Sequence, residues 1–145
     1  MAAALLLCGS ACDRAWDAVN AGAFSRYLDV LVSHTGATVK PAGCAMQAGT
    51  RAGSCEISGD PAAVARFVSA LGPEATPADV VFGAICPANP AFGKPDGAGH
   101  SPLPGVRLYR VRGPLPPNRE NVRFVRVWVS PSGDRACLEL EFPYG

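Results

Sequence analysis

The chain is expected to fold as one α+β domain, two helices packed on a mainly antiparallel sheet in the order α-β-β-α-loop-β-β-β. Three observations predict this. The 145 residues suffice for one core and fall short of two ordinary domains. Hydrophobic residues make up 48% and charged residues 17%, a globular balance rather than a disordered one. Apolar stripes of helical period occur at Asp13–Ser33 and Asp60–Leu71, whereas period-two alternation is strongest near the C-terminus. The 16 Gly and 14 Pro imply many turns without reaching a low-complexity composition.

The first helix is expected over Asp13–Ser33, capped by Asp13, with Trp16, Phe24, Tyr27, Leu28 and Leu31 buried along one stripe. His34-Thr35-Gly36 ends it, and His34 sits favourably at the negative end of the helix dipole. Ala37–Ser58 reads as two short strands around Ala48-Gly49-Thr50-Arg51. With Gly49-Thr50 at the centre, Cys44 falls opposite Cys55, and opposed residues can approach to ~4.5 Å between Cα atoms. Asp60 caps the second helix, with Pro61 at its first position and Val64, Phe67, Val68 and Leu71 on its apolar face. Gly72-Pro73 stops it.

Glu74–Pro104 is the least regular stretch. Val80-Val81-Phe82 reads as a short strand or helical turn, and residues 86–105 as a long Pro/Gly-rich loop. Val106–Arg112, Val122–Ser130 and Arg135–Phe142 read as a meander, with Ser132-Gly133 as the last turn. That register sets Val125, Val127 and Val129 against Leu140, Leu138 and Ala136 in the core. On the other side Trp128 faces Cys137, Arg126 faces Glu139, and Phe124 faces Glu141. The Trp128–Cys137 end needs a cover, and the segment starting at Cys86 is the one long enough to supply it. Cys44–Cys55 and Cys86–Cys137 are therefore the expected disulfides.

Residues 1–12 read MAAALLLCGSAC, an apolar stretch followed by small residues, which is the shape of an export signal. The segment resembles the end of a bacterial lipoprotein signal, which implies that Cys12, after Ala11, is the lipidated residue. Gly9 stands where that family usually carries Leu, and no Lys or Arg precedes the apolar run. The alternative is the start of an ordinary helix running into Trp16. The domain proper is then 13–145. No apolar run reaches the ~18 residues of a membrane-spanning helix.

Candidate chemistry is sparse. The histidines are His34 and His100, and no clustered spacing suggests a metal site or a cofactor. Cys86 and His100 could form a nucleophile pair only through proximity in the loop. Glu139 and Glu141 lie about 7 Å apart on one strand face, but the salt bridge to Arg126 favours a structural role for Glu139 over glycosidase chemistry. Net charge is +1, yet residues 106–145 hold seven arginines against four acids. Arg107, Arg110, Arg112 and Arg123, with Tyr109, Phe124 and Trp128, form a possible binding face for carboxylate or phosphate groups. The expected function is a non-catalytic exported domain, periplasmic or envelope-anchored, that binds a partner protein or envelope component. The alternatives are a small enzyme using Cys86 or His100, or a cytosolic arginine-rich module; nucleic acid is an unfavoured partner because export would remove it.

Overall fold

The computed structural model describes residues 3–78, 83–116 and 120–143, with side chains from residue 11 onward. The elements run α1 (Ala3–Thr35), β1 (Lys40–Met46), β2 (Ala52–Ser58), α2 (Pro61–Ala70), β3 (Pro73–Thr76), a 3-10 turn at Cys86–Ala88, β4 (Gly93–Asp96), β5 (Gly99–Pro102), β6 (Arg107–Val111), β7 (Arg123–Val129) and β8 (Arg135–Glu141). Six strands form one sheet in the order β1-β2-β8-β7-β6-β3, and β4 pairs with β5 in a separate hairpin. Every described pairing is antiparallel. The α+β class holds.

Both helices cover the same sheet face. Phe24, Tyr27, Leu28 and Leu31 of α1 are buried with Val64, Phe67 and Val68 of α2 against Cys55, Ile57, Val127, Leu138 and Leu140. The expected start of α1 is corrected: the helix continues back to Ala3, so Asp13 lies inside it. Trp16 is also corrected, being 66% exposed. The reason is length. A 33-residue helix is about 50 Å long at 1.5 Å per residue, whereas six strands at ~4.8 Å spacing span only about 25 Å. The N-terminal part of α1 overhangs the sheet, and its buried residues begin at Ala23. Gly36, at φ +64°, closes the other end.

Cys44 pairs opposite Cys55 as expected, and the turn is held by Gln47 N–H donating to the Ala52 carbonyl at 2.9 Å. Gly53 is required where it stands. A Cβ there would lie 2.8 Å from the Phe24 ring and collide with the Ala45 carbonyl oxygen. The α2 start also matches, with Asp60 accepting from Ala62 N–H at 3.1 Å ahead of Pro61.

Two segments were expected to be irregular and are not. Pro73–Thr76 is an edge strand paired with β6. Residues 86–105 carry the helical turn and the β4–β5 hairpin rather than an open loop. Val80, Val81 and Phe82 lie outside the described residues.

The β7–β8 hairpin has Val127↔Leu138, Trp128↔Cys137, Val129↔Ala136 and Arg126↔Glu139 in the expected register. A bulge at Val125 corrects its far end. Phe124 pairs with Leu140, Arg123 pairs with Glu141, and Val125 is left over and half-buried. The extra residue turns Phe124 toward the helices, where its ring centroid lies 5.7 Å from that of Tyr27. It also brings Arg123 and Arg126 to one side of the sheet although they are three residues apart.

Candidate functional site

The sheet face turned away from the helices carries most of the polar chemistry. Strand alternation puts Leu108, Arg110, Trp128, Cys137, Glu139 and Glu141 there. A lobe formed by residues 83–106 covers one part of this face, and a group of arginines occupies the rest.

The lobe is held at three points. Cys86 is bonded to Cys137, with 5.9 Å between Cα atoms. Phe92 and Cys86 are buried with Leu108, Trp128 and Cys137 in a second apolar cluster. Glu139, 2% exposed, supplies the polar anchor. Its Oε1 accepts from Ile85 N–H at 2.7 Å, Cys86 N–H at 3.1 Å and Trp128 Nε1–H at 2.9 Å. Its Oε2 takes the Arg126 guanidinium at 2.5 Å. A buried charge is tolerable only when paired and hydrogen-bonded, and this carboxylate has four donors. Glu56 supports the lobe from the next strand, accepting from Asn89 Nδ2 and pairing with Arg135 at 3.0 Å. Gly93 completes the fit, since a Cβ there would overlap the Pro87 backbone.

Beyond the lobe, Arg110, Arg112, Arg123 and Glu141 surround a shallow concavity of about 360 Å³ with Phe124 and Val125. Arg112 pairs with Glu74, and Arg123 donates to Glu141 at 2.7 Å. Arg110 stands opposite Arg126 across β6 and β7. Like charges so placed repel. Arg126 is neutralised by Glu139, whereas Arg110 has no acidic partner among the described residues.

The seven residues of the expected binding face therefore separate. Arg110, Arg112, Arg123 and part of Phe124 gather round the concavity. Arg107 and Tyr109 belong to the helix side, lining a groove of about 190 Å³ beside α2. Trp128 is corrected as a surface residue: it is fully buried and its indole N–H is spent on Glu139. Sequence reasoning paired Glu139 with Arg126 but missed its hold on the lobe. The available signal was a carboxylate on a face that already needed a cover.

Of the remaining candidates, Cys86 is 1% exposed and disulfide-bonded, and His100 is exposed on β5, so the structure does not offer a thiol to pair with that histidine. Cys44 and Cys55 are bonded, with Cα atoms 4.1 Å apart. Cys12 is a free, exposed cysteine on the overhang of α1. No group of three or more His, Cys, Asp or Glu able to hold a metal ion occurs among the described residues. No described helix is long and apolar enough to cross a membrane. No family model, curated protein or solved structure matches the chain. Two disulfides are compatible with an exported protein.

Proposed function

We propose that this chain is a non-catalytic, exported domain of the cell envelope, anchored by lipid on Cys12, that binds an anionic group of a partner protein or envelope component at the Arg110–Arg112–Arg123 concavity. The observation that carries this reading is the use of cysteine. All four cysteines of residues 13–145 are paired, and each pair joins separate strands or ties the lobe to the sheet. Small domains stapled in this way belong to oxidising compartments. Cys12 supports the anchor because it lies, exposed, on the part of α1 that the domain leaves uncovered. Arg110 supports the anionic partner because a planar guanidinium without a carboxylate is suited to bind a carboxylate or phosphate oxygen pair.

Intact mass of the chain expressed in a bacterial host with a lipoprotein export route tests the reading. The expected product lacks residues 1–11, carries a diacylglyceryl group on Cys12, and has four cysteines that alkylate only after reduction. A product that keeps Met1 and alkylates at Cys44, Cys55, Cys86 and Cys137 without reduction would overturn it.

A further inference from the structure

The groove beside α2 lies on the helix side of the sheet, away from the arginine concavity. Pro61, Val64, Ala65, Val68 and Ser69 line it from α2, at the spacing of one helix side. Val64, Val68 and Val129 are buried and give it an aliphatic floor. Ala65 and Ser69 are small and exposed, so the gap between α2 and Tyr109 of β6 stays open. The α2 row from Pro61 to Ser69 spans about 12 Å at 1.5 Å per residue. The volume is about 190 Å³, below the ~300 Å³ at which sites for drug-sized ligands begin, so the groove is long and narrow. Among its described lining residues only Arg107 is charged. A Cβ on Gly133 would lie 3.5 Å from Arg107 Nη2 and 3.6 Å from Pro61 Cβ, which sets the guanidinium at the Pro61 end. Arg107 forms no ion pair among the described residues. The acids next in sequence to Pro61 and Gly133 are engaged elsewhere: Asp60 accepts from Ala62 N–H, and Asp134 from the Ser130 and Ser132 hydroxyls.

We propose that this groove binds a free, straight-chain aliphatic monocarboxylate, its carboxylate on Arg107 and its tail along Val64 and Val68 toward Ser69. A guanidinium with no acidic partner offers a carboxylate two parallel hydrogen bonds, and an aliphatic floor calls for hydrocarbon. A peptide is a poor occupant. Strand β6 is hydrogen-bonded on both sides, to β3 and β7, so it has no edge to pair a peptide backbone, and burying unpaired amides is costly. An acyl chain esterified in a lipid has no carboxylate for Arg107. Extended chain advances roughly 1.2 Å per bond, so about eight carbons match the length of the groove. Because Arg107 is exposed, its ion pair is weak. The buried tail supplies most of the affinity, while Arg107 selects the acid and fixes which end it occupies. Neither export nor the Arg110 concavity enters this proposal.

Amide and methyl NMR spectra of the full, disulfide-intact chain, followed while butanoate, hexanoate and octanoate are added in turn, test it. Saturable shifts are expected at Val64, Val68 and Val129. Affinity should rise about threefold per added methylene, below the ~4-fold of complete burial because the groove is open on one side. Arg107→Gln should weaken octanoate about threefold and leave octan-1-ol binding unchanged. Ala65→Leu fills the groove from an exposed helix position, and should abolish the shifts without lowering the thermal midpoint. No saturation with octanoate, an affinity indifferent to chain length, or equal octanoate binding by Arg107→Gln would overturn the proposal. So would binding that survives Ala65→Leu, or shifts confined to Arg110, Arg112 and Arg123, which would assign the carboxylate to the concavity on the other face.

Discussion

The two faces of the sheet are covered by different physics. On the helix side, α1 and α2 bury a continuous set of Phe, Leu, Val and Ile side chains, and stability there scales with apolar area removed from water. On the far side, the lobe of residues 83–106 is rich in Pro and Gly and buries little beyond Phe92, Cys86 and Pro87. It is held instead by a disulfide and by a carboxylate that satisfies its backbone. A segment too poor in large apolar residues to dock by area can still be fixed by a few directional bonds. Such a cover should fail locally, whereas loss of helix packing should weaken the whole domain.

Glu139→Ala should have the largest effect. It strands two backbone N–H groups, the Trp128 indole and the Arg126 guanidinium in a buried place, and a destabilisation of about 5 kcal/mol is expected. Urea unfolding measures it. Removing the lobe disulfide with Cys86→Ala and Cys137→Ala should cost about 4 kcal/mol by loop-closure entropy. Phe24→Ala should cost a similar amount, about 4 kcal/mol, by leaving a cavity between α1, Gly53 and Phe142. The comparison is sharpened by asking where each loss falls. Native-state proteolysis should cut the cysteine variant within the lobe, and the Phe24 variant only after global unfolding. Equal cutting patterns would break the distinction. Removing Cys44–Cys55, which closes a shorter loop, should cost about 3 kcal/mol.

The smallest effect concerns acid. Hydrogen bonds from Ser132, and then from Ser130, hold the Asp134 carboxyl below its ordinary range at the β7–β8 turn. The Arg26 hydrogen bond does the same for Glu120 beside α1. A carboxyl depressed in the folded state adds stability that is present above its unfolded value and is lost as pH falls through its folded one. Thermal midpoints should therefore decline gently as pH drops below the usual carboxylate range. Asp134→Asn should flatten part of that decline, and an unaltered slope would contradict its role.

The helix side was the more legible of the two. Asp60-Pro61 marks the start of α2 because cap and fixed φ act locally, and Gly49-Thr50 sets Cys44 against Cys55 because a short turn fixes register. Ser132-Gly133 did the same for Trp128 and Cys137. The Val125 bulge was hidden because Phe124 and Val125 are both apolar, so the pattern reads equally well with either facing inward. Trp16 was misplaced because periodicity reports a helix side but not how far the sheet reaches beneath it. The lobe was least legible: Pro and Gly punctuate β4 and β5 as they would any loop, and its anchor at Glu139 lies some fifty residues away. Arg107 and Arg110 were grouped by sequence nearness, which strand alternation then divided between the two faces.

Hydrogen exchange with mass spectrometry on the native chain and on the Cys86→Ala, Cys137→Ala variant, in which Cys44–Cys55 of the helix-side core is left intact, tests the central contrast most directly. Loss of the lobe disulfide should raise exchange across residues 85–102, while β7, β8 and the buried half of α1 from Ala23 to Leu31 keep their protection. Uniform loss of protection over both faces, or no change in the lobe, would show that the two covers are not held by separate means.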